Sequence, residues 1–371
     1  MKILQLAAET PVPPTSGVRL RVLHLARQLA ATADVEVLAL GAAEADAEPF
    51  SLRGVPHADA RWRALAESAR RPYMAAKLDS AAMRDAAAAA RVDTVQAEFP
   101  YLVPAALAAE APVVLSAHNV ESEVMASLAE ADGRPLHRRR WAWEARKTAG
   151  FEAAAARAVA AVAATSDHDA EVFERWGARR VVLVPNGVDT RAITHHPPPP
   201  GAELAYVGHY GYRPNALAAQ ELVEQVLPRV PGATARLIGR DPGPDVERLA
   251  GPAVTVTGEV ADSVAELRSA RILLVPLRSG GGTRLKVLEA LAAGTPVVST
   301  AFGVAGLDVR DGEHVLIGET AEELAQLAAR VVADDALAAA LSDRGRALVE
   351  RSYDWSIVAR PLVELHRELA R

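Results

Sequence analysis

At 371 residues the chain exceeds what one compact core ordinarily holds, and about 150 residues per domain suggests two or three domains, of which two is the working number. With 50% hydrophobic and 24% charged residues the composition is globular, and no run of eighteen apolar residues offers a bilayer span. A formal charge of -6 argues against wrapping nucleic acid or living on anionic lipid, and the absence of cysteine removes disulfides, thiolate metal sites and cysteine nucleophiles, leaving the cytoplasm as the expected compartment.

The first candidate strand, residues 2–8, is shorter than a secretory core and meets Glu9 without a cleavage-type sequence, so the mature chain is expected to begin at Met1. Val18, Val22, Leu25 and Leu29 then recur on one face of a helix that opens just after Ser16-Gly17. Strand candidates follow at 35–40, 92–97, 113–117, 159–165 and 181–184, with helical patterns between them. Pro197 to Pro200 can join neither a helix nor a central strand, and reads as a stiff connector preceded by two solvated histidines, His195 and His196. A second series has strands at 204–207, 235–238, 254–257, 272–276 and 296–300, then helices near 321–333 and 335–350. The segment 355–369 looks amphipathic and separate. This alternation predicts an α/β protein of two Rossmann-like, doubly wound parallel-sheet domains facing across a cleft. The expected division is 1–196, 197–353 and a terminal helix, 354–371, crossing back to the first domain.

Parallel sheets bind ligands beyond the carboxyl ends of their strands. The residues there include Gly17, Glu98, His118-Asn119, Asn186-Gly187, Gly208-His209, Gly239-Arg240 and Gly258-Glu259. The most informative segment, Arg278-Ser-Gly-Gly-Gly-Thr-Arg-Leu-Lys-Val-Leu-Glu289, follows a strand and opens a helix with an expected apolar face of Leu285, Leu288 and Ala292. Gly280, Gly281 and Gly282 leave amides bare for an anion, while Arg284 and Lys286 stand in a first turn that disfavours cations unless a phosphate is bound. A solvated Lys286–Glu289 pair is the structural alternative. Glu289 suits the vicinal hydroxyls of a ribose. Neither a Gly-x-Gly-x-x-Gly after the first strand nor a P-loop occurs.

Taken together, VPNGVD at 184–189, YVGHYGYRPN at 206–215, LIGRDP at 237–242, VTGEV at 256–260 and GGGTRLKVLEALAAGTPVVST at 280–300 resemble the retaining GT-B glycosyltransferases of family 4. The likeness runs from Gly17, through AHNVE at 117–121, to Tyr353-Asp354-Trp355. It implies transfer of a sugar from a nucleotide-diphosphate donor, held mainly by the second domain, to a small-molecule, lipid-linked or glycan hydroxyl, without metal or cofactor. By the same resemblance Gly280 to Thr283 meet the diphosphate and Lys286 or Arg284 balances it. Glu289 holds the ribose, Arg240, Glu259 and Val260 flank the base, His118 is the cleft histidine and Gly17 the loop glycine. Glu98, Asn119 and Asn186 are candidates on the acceptor side. Two positions depart from the family: Gly281 replaces the first glutamate of E-x7-E, and His209 and Asn215 replace an Arg and a Lys, which shifts weight to Lys286, Arg284 and Arg213. A nucleotide-sugar epimerase of the same plan and a noncatalytic nucleotide or sugar binder are the competing functions.

Two further motifs have plain structural readings. Asp167-His168-Asp169 could bind a metal–diphosphate in another fold, but Ser166 and Asp169 have capping-box spacing. Residues 137–147, HRRRWAWEARK, read first as a helix packed inside and charged outside, with a peripheral contact with a lipid surface at the inner membrane face, or with an anionic acceptor, as the lesser alternative.

Overall fold

The computed structural model describes the chain except for residues 42–47, 58–60, 132–133 and 281–283 and the side chains of Arg63 and Ala131. The described residues form two compact units. One comprises Met1–Asn186 with Trp355–Arg371, the other Gly187–Gly280 with Arg284–Asp354.

The first unit is built on a seven-stranded, all-parallel sheet of β1 (Lys2–Ala7), β2 (Asp34–Leu40), β3 (Ser51–Val55), β4 (Thr94–Glu98), β5 (Val113–Ser116), β6 (Ala161–Ala164) and β7 (Val181–Leu183). Their spatial order is β3-β2-β1-β4-β5-β6-β7, so the winding reverses at β1, whose Leu4 lies opposite both Glu36 and Val95. The central strands are buried on both faces, which is why they read as continuous apolar runs. The helix Gly17–Ala30 starts where Ser16 accepts a hydrogen bond from the Arg19 amide. The closing helices Trp355–Val358 and Arg360–Leu369 belong to this unit. Trp355 stacks on His24 with centroids 5.2 Å apart, Leu362 and Leu365 are buried, and His366 bridges Thr94 Oγ1 (2.8 Å) and Gln96 Oε1 (3.0 Å).

The second unit holds β8 (Glu203–Val207), β9 (Thr234–Ile238), β10 (Val254–Gly258), β11 (Ile272–Val275), β12 (Val297–Ser299) and β13 (Leu316–Ile317), all parallel. The order β10-β9-β8-β11-β12-β13 places its reversal between β8 and β11. Gly239 (φ +136°) passes so close to β8 that a Cβ there would lie 1.8 Å from the Gly208 carbonyl oxygen. Among the described residues no helix is long and apolar enough to cross a membrane.

Four expectations need correction. The proline run is tied into the second unit and is not a free connector: the Arg271 guanidinium donates to Pro199 O at 3.2 Å, and His196 N, just before the run, donates to Ala293 O at 3.0 Å. His195 is not a solvated linker residue, since its Nε2 meets Ser342 Oγ at 3.0 Å. The helix Leu285–Ala293 is buried around most of its circumference, with Val287, Ala290 and Leu291 inside and Leu285 only half-buried, because a second helix, Asp335–Ser352, covers the side away from the sheet. Strands β3 and β13 were not anticipated: both are sheet edges, β3 carrying exposed and half-buried residues with Arg53 and Gly54, and β13 only two residues long.

Candidate functional site

In the second unit the switch point between β8 and β11 collects a lysine, a tyrosine and an asparagine from three segments. Tyr206, near the end of β8, donates its hydroxyl to Asn215 Oδ1 at 2.7 Å, and Asn215 returns an amide hydrogen to the His209 carbonyl at 3.0 Å. Lys286, in the first turn of its helix, donates to both Tyr206 Oη and Asn215 Oδ1 at 3.1 Å and lies 4.2 Å from the Tyr206 ring centroid. These neutral partners orient the ammonium without neutralising it. The Lys286–Glu289 surface pair is not formed. Burial, with the Arg284 charge adding to it, pulls the lysine down to about 7, against the attraction of Glu289. Burial beside Asp262 pushes Glu289 up to about 7, against the attraction of Lys286.

Gly280 sits at φ +107°, and a Cβ there would come 2.8 Å from the Tyr212 hydroxyl and 3.1 Å from Pro214. Only glycine brings the loop this close to the start of the helix Arg213–Glu221. Gly281, Gly282 and Thr283 lie outside the described residues. Arg284 is buried: its Nε and Nη2 donate to the Phe302 carbonyl at 3.2 and 3.0 Å, and its guanidinium stands 4.9 Å from the Phe302 ring centroid. Of the other named residues, Arg213 and Glu259 are exposed, and Arg240 and Val260 are half-buried. His209 Nε2 meets Asp241 Oδ2 at 2.7 Å.

The first unit has its own polar centre at the carboxyl ends of β4 and β5. Glu98 is completely buried; one oxygen accepts from Gln5 Nε2 at 2.7 Å and from Gln96 Nε2, and the other meets His118 Nε2 at 2.8 Å. Phe99 follows at φ +85°, a costly conformation for an aromatic residue, and its ring stacks on His118 with centroids 4.2 Å apart. The bonds from His118 and Gln96 and the Arg21 charge together outweigh burial and hold Glu98 below the ordinary carboxylate range. Burial moves His118 below its ordinary value in spite of Glu98. The pair is therefore a carboxylate receiving Nε2–H from a neutral imidazole, an arrangement that leaves Nδ1 as the basic nitrogen.

Buried Arg21 donates to Asn186 Oδ1 at 2.8 Å and Val184 O at 2.9 Å, which gives Asn186 an internal structural partner. Asn119 is half-buried, and Gly17 is the exposed first residue of its helix. Gln5, Gln96, Phe99 and Arg21 were missed in the sequence; the available signal was two glutamines at inward positions of otherwise apolar strands. Ser166 caps the helix Asp167–Arg175, accepting from Asp169 N at 3.1 Å, while the Asp169 carboxylate takes the Thr165 hydroxyl at 2.6 Å. Among the described residues no group of three or more His, Asp or Glu could hold a metal ion.

Two family models match the chain: Glycosyltransferase Family 4 over residues 15–192 and Glycosyl transferases group 1 over residues 201–334. The chain is 27% identical over 217 residues to a phosphatidyl-myo-inositol mannosyltransferase of Mycobacterium leprae, a match spanning 54% of this chain and 58% of that protein. It is 29% identical over 220 residues to a GDP-mannose-dependent alpha-(1-6)-phosphatidylinositol monomannoside mannosyltransferase of Mycobacterium tuberculosis, spanning 51% and 56%. These matches cover little more than half the length of the curated relatives. Among solved structures, Anabaena Alr3699/HepE in complex with UDP and glucose superposes with a TM-score of 0.73 at 15% identity, covering 99% of this chain and 100% of that one. WaaG, a glycosyltransferase involved in lipopolysaccharide biosynthesis, gives 0.67 at 18% identity over 98% and 99%. The likeness to these structures is one of fold.

Proposed function

Because the chain belongs to the group 1, family 4 glycosyltransferases, we propose that it moves a sugar from a nucleotide-diphosphate donor to a hydroxyl of a small-molecule, lipid-linked or glycan acceptor, with retention and without a metal. The observation that carries this reading is Lys286, a lysine drawn down to about 7 and fixed by Tyr206 and Asn215 at the switch point of the second sheet.

A departing nucleoside diphosphate concentrates negative charge on its β-phosphate, and electrostatic stabilisation of that charge is the main chemical task. Lys286 supplies one positive charge there, and the amino end of the helix Leu285–Ala293 supplies oriented amides. Gly280 keeps side-chain bulk out of the approach. In this reading Glu289, one turn beyond Lys286, accepts from ribose hydroxyls. In the first unit, His118 presents an unprotonated Nδ1 suited to a hydroxyl hydrogen of the sugar or acceptor, with Glu98 holding the ring.

The test is a panel of UDP-, GDP-, TDP- and ADP-sugars followed by thermal stabilisation and donor hydrolysis. One base family should stabilise the chain and be turned over, and Lys286→Ala should weaken donor affinity more than it lowers the melting temperature. Binding without turnover over a broad acceptor panel would favour the noncatalytic binder, and donor conversion without any acceptor the epimerase. Melting loss with unchanged nucleotide affinity would remove Lys286 from the site.

A further inference from the structure

We propose that Phe99 is a positioning residue for His118: its ring, turned onto the imidazole by a strained backbone, fixes the plane in which the Nδ1 lone pair points. The inference takes the action of His118 on a sugar or acceptor hydroxyl from the sugar-transfer reading, and the way the ring is held from geometry alone. Its starting point is a contradiction in strand geometry. Consecutive residues of a strand point to opposite faces of the sheet. Glu98 and Phe99 nevertheless reach the same imidazole, one through Oε2 at 2.8 Å and the other through a stack with centroids 4.2 Å apart and planes 12° from parallel.

Phe99 resolves the contradiction by leaving the extended conformation, with φ +85° and ψ 146°. The ψ is what Pro100 asks of the residue before it, but a proline there does not call for a positive φ. That backbone conformation is close to what only glycine visits freely, and a bulky side chain in it is strained. The sheet does not demand it either: the Phe99 amide still donates to the Ser116 carbonyl at 3.2 Å, carrying on the pairing of β4 with β5. Nor does core filling account for it, because Phe99 is only half-buried. What the conformation achieves is the stack on His118.

Glu98 by itself cannot fix that plane. Nε2 lies near the line of the Cβ–Cγ bond, so a hydrogen bond there leaves the imidazole able to twist about χ2, a torsion with broad minima. Nδ1 lies off that line and sweeps sideways as the ring twists. The His118 backbone is already held, since its carbonyl accepts the Thr165 hydroxyl at 3.3 Å, which leaves the twist of the ring as the looser freedom. A nearly coplanar aromatic face removes it. With Glu98 at the Nε2 edge and Phe99 over one face, the imidazole accepts a hydroxyl hydrogen at Nδ1 in its own plane, and residue 99 sets that plane.

The experiment combines kinetics with NMR on the full chain, using a donor and acceptor that the unsubstituted protein turns over. Phe99→Leu should lower kcat about tenfold, part of the roughly hundredfold that a positioned proton-transfer group contributes, and leave the donor KM within about twofold. Phe99→Gly, free of the strain that a leucine would keep, should lose the same rate, and Phe99→Tyr should restore it. In a His118→Gln background Phe99→Leu should cost nothing further, because its effect passes through the imidazole. The His118 ring protons, assigned by their loss in His118→Gln, should lie upfield under the Phe99 face and should lose that shift and broaden in Phe99→Leu. An unchanged kcat in Phe99→Leu or Phe99→Gly, no recovery in Phe99→Tyr, a full additional loss without His118, or sharp and unmoved ring signals would each overturn the proposal. A chain that transfers no sugar from any donor removes the sugar-transfer reading instead, and the ring signals then decide by themselves whether Phe99 holds the imidazole.

Discussion

Lys286 and Glu98 show the same economy of side chains at two different sites. Each is an ionisable group drawn out of water and held by neutral hydrogen-bond partners, Tyr206 and Asn215 for the lysine and Gln5 and Gln96 for the carboxylate. For Lys286 the proposed donor site carries a pH signature. A diphosphate binds the ammonium form and raises its pKa on binding, so affinity should be level below pH 7 and fall by up to about tenfold per pH unit as the free lysine deprotonates above it. Lys286→Met should flatten that profile in a calorimetric titration; a slope that persists assigns it to another group. For Glu98 the readout is its neighbour. The carboxylate raises the His118 pKa against burial, so Glu98→Gln should lower the imidazole pKa further, as followed by NMR titration. A rise would contradict the pairing.

Single elements carry their own electrostatic tension. The helix Glu121–Ala131 starts on the Glu152 carboxylate, which accepts from Glu121 N at 2.7 Å and Ser122 N at 3.0 Å. Burial pushes Glu152 itself up to about 7, so above that pH the cap is an anion beside the Glu121 side chain, and burial together with this repulsion pushes Glu121 up to about 7 as well. A folded-state pKa above the unfolded one means that Glu121 costs nothing at low pH. Its penalty grows as pH rises from about 4.5 to 7 and is full above that window. Glu121→Gln should therefore stabilise the protein by about 1–3 kcal/mol at pH 8 and by almost nothing near pH 4. Chemical denaturation at the two pH values measures the difference, and equal gains at both would refute the assignment.

Across the whole molecule the last seventeen residues decide whether the first unit is complete. Trp355, Val358, Leu362 and Leu365 are buried, and His366 is bonded to β4 on both ring nitrogens. At about 1.5–3 kcal/mol for each large buried side chain, their loss rivals the 5–15 kcal/mol that holds an ordinary domain together. A chain ending at Asp354 should show the first unit unfolded, or exchanging its amide hydrogens freely, while the second keeps its protection. Uniform protection in both units would show that the tail is dispensable.

Doubly wound sheets, the helix opened by Ser16 and the Ser166 cap were legible residue by residue, because apolar runs and capping side chains act over a few neighbours. So was the pairing partner set in outline: His118 and Glu98 were each named at strand ends. What the chain order concealed was distance. Gln5, Gln96 and Glu98 meet because β1 and β4 are neighbours across the winding reversal, and Tyr206 finds Lys286 because β8 lies beside β11. The proline run looked like a connector because nothing local foretells that Arg271 will reach its carbonyl. Local propensity writes the elements, while the identity of a buried ion's partner depends on packing between segments 80 residues apart for Lys286 and Tyr206 and 93 apart for Glu98 and Gln5.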